Sequence, residues 1–342
     1  MVTRQSLIRY RSADIRKDIQ RECYMRRGIG LVLIGLGVAF LVLAPMVKFY
    51  AVPKLAVAPL DLNPENPSRN SGTAVKLLDI ATLTERTNVP LTSVRYTKAD
   101  VAASQAAGGN IGVYESFSRV NDAEGKLVTA GTERYAFDRT TNILNTGSGA
   151  NIDGTPMTDE MIANDAIMPL KLPFFVDKNA TYNYFDTSLL KGAPVTFVEE
   201  TSIDGLTVYK FEGKIEPTQI GEQEGVATLV GSDDPNFKAP RYYSNLRTLW
   251  VEPLTGQVVD GSEDQLQTLR GPDGTDKITI IQGKLGFTDQ EKAESVAEAK
   301  DNSAKLKLVS QTLPVASLVL GLVLLVIGIL LFRRSDDAPA AV

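Results

Sequence analysis

Two runs of the chain contain no charge at all. Residues 28–47, GIGLVLIGLGVAFLVLAPMV, and residues 313–332, LPVASLVLGLVLLVIGILLF, are each twenty residues long. Twenty helical residues rise about 30 Å, the thickness of a bilayer's hydrocarbon core. A core helix of a water-soluble protein keeps a polar face, and neither run has one. The first run is longer than the apolar region of a cleaved signal peptide, about 7–15 residues. The nearby small-residue pattern Ala56-Val57-Ala58 runs straight into Pro59. Two membrane anchors are expected, with one large segment between them.

In that segment the period shifts to two. Val113, Glu115, Phe117 and Arg119 alternate with Tyr114, Ser116 and Ser118, which is the pattern of a half-buried strand. Short strands are expected over residues 75–80, 91–96, 111–120, 126–129, 181–186, 195–200, 207–211 and 277–281. Turns fall at residues 121–125, at Asp204-Gly205, a common two-residue hairpin, and at residues 271–274. Residues 216–240 are polar, with Pro217, Pro235 and Pro240, and read as a long loop.

Two stretches can be laid on each other. Tyr135-Ala-Phe-Asp138 and Leu249-Trp-Val-Glu252 each end a strand on an acid, with Thr141 or Thr255 three residues later. Asn142 or Gly256 then holds the turn before a second strand. The spacing is about half of the exterior segment, so two similar lobes are expected. Helices are few. A short one is expected over residues 158–166, and Thr288-Asp-Gln-Glu291 is a capping box opening an Ala-, Lys- and Glu-rich helix.

The expected fold is a β-rich α+β class: a two-lobed exterior domain of curved antiparallel sheets between two transmembrane helices. Its parts are a basic juxtamembrane segment (1–27), the first transmembrane helix (28–47), and an extended linker (48–73) containing Pro53, Pro59, Pro64 and Pro67. Lobe 1 (74–175), lobe 2 (176–286), a helical stalk (287–312), the second transmembrane helix (313–332) and a tail (333–342) follow.

Charge sets the orientation. Residues 1–27 hold eight basic and three acidic side chains, and the tail opens with Arg333 and Arg334. By the positive-inside rule both termini are cytoplasmic and residues 48–312 lie outside the plasma membrane. With a net charge of −5 on the whole chain, +5 on the first 27 residues and a neutral tail, the exterior segment carries −10. That argues against nucleic acid and against docking on anionic lipid. The one cysteine, Cys23, falls on the cytoplasmic side, so no disulfide holds the exterior segment.

Candidate chemistry is sparse. The chain has no histidine, which removes Ser-His-Asp and Cys-His catalysis and His-containing zinc sites. Ser188-Leu-Leu-Lys191 matches S-x-x-K but lacks the accompanying S-D-N and K-T-G. Adjacent acids such as Glu199-Glu200 point to opposite faces of a strand, although a carboxylate pair distant in sequence could still serve a glycosidase. Asp153, Asp159, Asp233, Asp234 and Asn236 lack the spacing of an EF-hand, so they read as solvated loop residues. No metal or cofactor is expected. Aromatic residues do cluster: Phe174, Phe175, Tyr182, Tyr184 and Phe185, with Tyr242, Tyr243 and Trp250 in a second group. Plain core packing accounts for such clusters, and so does an apolar groove for a lipid or sugar.

The order of anchor, Phe137-Asp-Arg-Thr140, Pro173-Phe174, Tyr182-x-Tyr184-Phe-Asp186, Gly205-Leu-x-Val-Tyr-x-Phe211, Trp250-Val-Glu-Pro-x-Thr-Gly256 and anchor resembles an actinobacterial envelope family labelled the porin PorA family. The resemblance implies lipomannan and lipoarabinomannan maturation or trehalose-mycolate trafficking, through binding of lipid, and supplies no catalytic residues. The porin label itself does not fit: a spanning barrel needs at least about eight strands with an apolar outward band, and two membrane helices make it redundant. The expected function is a non-enzymatic accessory that binds or transfers an amphiphilic lipid or lipoglycan. Two alternatives stand beside it. One is a scaffold for envelope-biosynthesis or lipid-transport proteins, packing through Gly35-xxx-Ala39 and Ser317-xxx-Gly321. The other is a carboxylate-dependent glycan enzyme.

Overall fold

The computed structural model describes residues 4–62, 67–79 and 82–334, with side chains from residue 21 onward except those of Cys23 and Arg334. The expected tail beyond residue 334, Pro64, Ile80 and the side chains of residues 1–20 and Cys23 lie outside the described residues. Among the described residues the longer α-helices are α1 (Arg4–Met46), α2 (Val101–Ala107), α3 (Asp289–Lys307) and α4 (Leu313–Arg334), with one further helical turn at Val52–Leu55. Both uncharged runs are helical, and both helices are long and apolar enough to cross a membrane. A π-helical turn follows α1 at Val47–Ala51 and another precedes α4 at Leu308–Thr312. Each is followed two residues later by a proline, Pro53 or Pro314, whose missing N–H interrupts the regular ladder.

Contacts divide the chain into two units, Met1–Leu55 with Lys305–Val342, and Ala56–Ala304. In the first, α1 and α4 pack antiparallel through glycines. A Cβ on Gly37 would lie 2.9 Å from the Gly321 carbonyl oxygen, and one on Gly30 would lie 3.0 Å from that of Gly328. Backbones this close are the signature of small-residue packing between membrane helices. The expected Ser317–Gly321 face is used in this contact, whereas Gly35 has open space around it.

The second unit holds thirteen strands among the described residues, all antiparallel. The first half is β1 (Ser68–Asp79), β2 (Thr84–Ala99), β3 (Ile111–Asp122) and β4 (Leu127–Asp138), with the short β5 (Leu144–Asn145), β6 (Asn151–Ile152) and β7 (Thr155–Pro156). The second half is β8 (Tyr182–Asp186), β9 (Lys191–Ile203), β10 (Leu206–Gln223), β11 (Ala239–Val251), β12 (Val258–Arg270) and β13 (Asp276–Phe287). Each half is a meander in which strands consecutive in the chain pair antiparallel, and β1 pairs with β13 to join them into one sheet. The far ends also approach each other. Ile167 bridges to Ile143, beside β5, and to Tyr184 in β8. The sheet is therefore curled, and its inner face encloses a volume.

The two corners read from the sequence are alike in their hydrogen bonds. The Asp138 carboxylate accepts from the N–H groups of Thr140 (2.9 Å) and Thr141 (2.8 Å) and from the Thr141 hydroxyl (3.1 Å). Glu252 accepts from the N–H groups of Leu254 (3.1 Å) and Thr255 (2.7 Å) and from the Thr255 hydroxyl (2.6 Å). Asn142 (φ 58°) and Gly256 (φ 74°) both occupy the left-handed region. Together the corners clamp the segment that connects the halves. Asn142 Nδ2 donates to the Leu172 carbonyl at 2.8 Å, and the Leu172 N–H donates to the Gly256 carbonyl at 2.8 Å.

Other features differ from expectation for local reasons. Residues 158–166 form turns rather than a helix, because Asn164 and Asp165 are both left-handed, at φ 59° and 55°, which a right-handed helix cannot contain. Strand β10 continues into the polar stretch. Pro217 sits where the β10–β11 register slips, between Ile215 and Thr218, and a bulge tolerates its missing N–H. The loop shrinks to residues 224–238. The capping box forms by half: the Glu291 N–H donates to the Thr288 hydroxyl at 3.1 Å. The Glu291 carboxylate instead accepts from the Arg69 N–H at 2.9 Å, tying α3 to β1. Val296 and Ala299 of the same helix pack on Leu206, Val208 and Val259. Strand β1 begins at Ser68, inside the expected linker.

Candidate functional site

The curled sheet lines an open cavity of about 500 Å³, within the range of small-molecule sites. Strands β1, β2, β8, β11, β12 and β13 contribute to its wall, and α3 adds Glu291, Ser295 and Glu298. Alternation decides which side chains face in. On β2 these are Ser93, Arg95 and Thr97, and on β11 Tyr243, Arg247 and Leu249. Much of the wall is thus polar, beneath a shell of buried Tyr135, Phe137, Phe185 and Phe211.

Arg247 is the best-anchored group. Its Nη2 lies 2.9 Å from Asp186 Oδ2 and 2.7 Å from Glu263 Oε1, and its Nε donates to Glu263 Oε1 at 2.8 Å. Asp186 is itself fixed by the β8–β9 turn. Its Oδ1 accepts from the N–H groups of Ser188 and Leu189, each at 2.9 Å, while Oδ2 also accepts from the Tyr243 hydroxyl at 3.0 Å. Burial disfavours the charge on Arg247, but Glu263 and Asp186 outweigh it and raise its pKa. Burial likewise pushes the Glu263 carboxyl up, and Arg247 with Arg95 more than offsets this, leaving it below the ordinary range. The guanidinium stacks 4.9 Å from the centre of the Tyr184 ring. Burial raises that phenol to about 12.

Arg95 contrasts with Arg247. It keeps accessible surface because it faces the cavity, and among the described residues no side chain lies within ion-pair distance of it. Burial opposes its charge, yet the longer-range fields of Glu133, Tyr135, Tyr184 and Glu263 prevail and raise its pKa. Several buried polar atoms nearby have no hydrogen-bond partner among the described residues. They are Glu133 Oε2, Tyr135 Oη, Asn245 Oδ1 and Nδ2, and Arg247 Nη1. Leaving one such group unsatisfied costs about 1–3 kcal/mol. Burial pushes the Glu133 carboxyl above its usual range.

Of the eight aromatic residues singled out by sequence, the fold brings Tyr184, Phe185 and Tyr243 to the cavity wall. The other five sit elsewhere, Tyr242 with the Arg270 guanidinium 3.5 Å from its ring centre. Phe174 lies under Lys171, whose Nζ is 3.3 Å from the ring centre. Burial pushes that lysine down to about 7, partly offset by Glu252. Phe175 is exposed, and Tyr182 packs edge-on against Phe211 at 5.7 Å. Trp250 sits beside Leu206 and Val296, below Lys210. Of the cluster around Arg247, the sequence marks Tyr184 and Tyr243 among the aromatics and Asp186 within the family motif, but singles out neither Arg247 nor Glu263. The signal for Arg247 was a charged residue two positions from Leu249 on one strand face, where an apolar side chain is the rule.

Asp186 and Glu263 are carboxylates distant in sequence that meet in space, the arrangement left open above for a glycan enzyme. Both are committed to one guanidinium, and Glu263 is held ionised by it, which suits an ion-pair brace better than a proton donor. Ser188 lies in the β8–β9 turn with Lys191 exposed. Among the described residues no group of three or more acidic or thiol side chains is placed to hold a metal ion.

A family profile described as Porin PorA matches residues 29–330. A protein named Porin PorA from Corynebacterium resistens is 26% identical, over 85% of this chain and 92% of its own length. Another Porin PorA, from Corynebacterium amycolatum, is 24% identical over 70% of this chain and 77% of its own. Among solved structures, LprF from Mycobacterium bovis aligns over 72% of this chain and 90% of its own at 15% identity. Its TM-score of 0.16 is too low to bear on the fold.

Proposed function

The chain belongs to the Porin PorA family, and from that premise we propose that it is a membrane-anchored envelope accessory that binds or transfers an amphiphilic lipid or lipoglycan. Both termini are cytoplasmic in this reading, and the β-rich unit lies outside the plasma membrane. The observation that carries it is the cavity of about 500 Å³ with an anchored guanidinium, an open guanidinium and the Tyr184 ring on its wall. Conduction through the sheet finds less support. Its strands carry the ion pairs Lys98–Glu115 (2.8 Å), Lys76–Glu85 (3.2 Å) and Lys210–Glu212 (2.9 Å), and a bilayer-spanning barrel needs an apolar outer band.

The test is native mass spectrometry on the full chain taken from its own membranes. The expected result is a co-purified envelope lipid or lipoglycan, with occupancy falling in Tyr184→Ala by more than the loss of folded protein explains. A folded wild-type chain that carries no lipid would falsify the reading. A Tyr184→Ala protein that melts far earlier but keeps its occupancy per folded molecule would assign that ring to packing alone.

A further inference from the structure

The paired helices α1 and α4 carry charge at both ends, but only one end leaves its cations without acidic company. We propose that the end where the chain passes into the β-rich unit is a docking surface for anionic phospholipid, whose head-group phosphate pairs with Lys48, Lys54, Lys305 and Lys307. In the orientation proposed above this is the outer leaflet, and the surface is independent of what the cavity holds.

Register brings the lysines together. Gly30 meets Gly328 and Gly37 meets Gly321 across the antiparallel pair, so each step forward on α1 matches one step back on α4. Continued past the glycines, that register sets Lys48 level with Ser310 and Lys54 level with Ala304. Lys305 and Lys307 fall between those levels. The two π-helical turns, Val47–Ala51 and Leu308–Thr312, touch each other as this register requires. At 1.5 Å per residue the four lysines occupy a band about 9 Å deep. It borders an uncharged stretch about 30 Å long, the thickness of a hydrocarbon core.

Charge complementarity names the occupant. The exterior segment is acidic overall, yet residues 47–55 and 305–312 contain four lysines and no acidic side chain. Among the described residues Lys48, Lys54 and Lys307 have no carboxylate within ion-pair distance. At the opposite end, by contrast, Arg26 has Glu22 at 3.6 Å. Phe49 and Tyr50 are 74% and 62% exposed, and such rings settle at head-group level. That depth lets the lysine ammoniums reach the phosphates while their stems stay on apolar surface. Lys54 Nζ donates to the Tyr50 hydroxyl at 2.8 Å and lies 4.0 Å from the ring centre. A hydroxyl that accepts this bond keeps its own proton to donate, so amine and hydroxyl offer neighbouring donors to one phosphate. A zwitterionic head would bring a cation of its own against four others.

The experiment reads lipid contact at this band alone. Phe49→Trp places an indole there, and the full chain is set in nanodiscs of mixed phosphatidylcholine and phosphatidylglycerol, with one or the other brominated on its acyl chains. Quenching, with the unsubstituted chain as reference for Trp250, gives the relative affinity of the two lipids at that indole. A preference for phosphatidylglycerol of at least about tenfold is expected, since each basic side chain near an anionic surface contributes about fivefold. Lys54→Gln should lower the preference about fivefold, Lys54→Arg should keep it, and Tyr50→Phe should lower it by less. Lys48→Gln, Lys54→Gln and Lys307→Gln combined should bring the two lipids close to parity. Leu55→Trp carries the indole if Phe49→Trp does not fold. Equal quenching by the two lipids in folded protein overturns the proposal and leaves the cavity reading untouched. An unchanged preference in the folded triple variant overturns it too. So does displacement of phosphatidylglycerol by soluble glycerol phosphate, because the lysines would then take a free phosphate rather than a membrane lipid.

Discussion

The two halves of the Ala56–Ala304 unit are built on the same corner but furnish the cavity in opposite ways. Asp138 and Glu252 make equivalent hydrogen bonds, and each corner places one left-handed residue against the segment around Leu172. From the second half comes Arg247, gripped by Asp186 and Glu263. From the first comes Arg95, which has no ion pair among the described residues. One wall is braced by ion pairs, and the other carries a guanidinium that faces the cavity without one.

The sharpest break in the comparison lies at the corners themselves. A Cβ on Gly256 would sit 2.1 Å from the Leu172 carbonyl oxygen, and its φ of 74° is strained for other residues. Gly256→Ala is expected to cost about 3 kcal/mol or more, through clash and strain together. At the equivalent position Asn142 already has a side chain, and it donates to that same carbonyl. Asn142→Gly therefore removes one buried hydrogen bond, about 1 kcal/mol, with no clash. Thermal melts of both variants test the asymmetry. Equal losses would mean that the corners only look alike.

The guanidiniums come next in size. Arg247→Met leaves Asp186, almost fully buried, without its counter-charge, a change that costs about 3–5 kcal/mol when one partner of a buried pair is removed. Arg95→Met strands no partner within ion-pair distance, so its stability should stay within about 1 kcal/mol of wild type. Denaturant titration of the two variants separates them. A large loss in Arg95→Met would place that residue among the structural braces and remove the contrast between the walls.

Sequence reading reached some of this and stopped at a definite point. Uncharged runs, the Asp204-Gly205 turn and the paired corners are local, set by residues within a few positions of one another, and they were legible. So was the β-rich class, through alternation such as that of residues 113–119. The cavity was not. Arg95 and Arg247 become neighbours only through the β1–β13 pairing and the closure at Ile167, which no local pattern encodes. The aromatic cluster misdirected attention for the same reason. Phe174, Phe175, Tyr184 and Phe185 are close in sequence, but a turn-rich connector and a strand send them to different surroundings. The expected helix over residues 158–166 failed on backbone conformations at Asn164 and Asp165 that composition does not reveal.

The smallest expected effect distinguishes the halves by pH. Burial raises the Glu133 carboxyl above the ordinary glutamate value of 4.5, so the folded state holds a proton that the unfolded chain has released. Stability from this group is present below pH 4.5 and is lost as pH rises toward the raised folded value. Asp138 behaves in the opposite sense. Burial works against its charge, but the N–H groups of Thr141 and Thr140 prevail and hold it below the ordinary aspartate value of 3.8. Its contribution is present above pH 3.8 and is lost as pH falls toward the lowered folded value. In denaturant titrations from acid to neutral pH, Glu133→Gln should reduce the decline seen above pH 4.5 and leave the acid limb alone. The residual decline belongs to Glu291, whose carboxyl burial also raises. Asp138→Asn should make the acid limb shallower and leave the upper one unchanged, the rest of the acid limb belonging to carboxyls such as Asp122 and Glu263 that are also held below their ordinary values. A Glu133→Gln curve parallel to wild type above pH 4.5 would show that burial does not hold this carboxyl above its ordinary value.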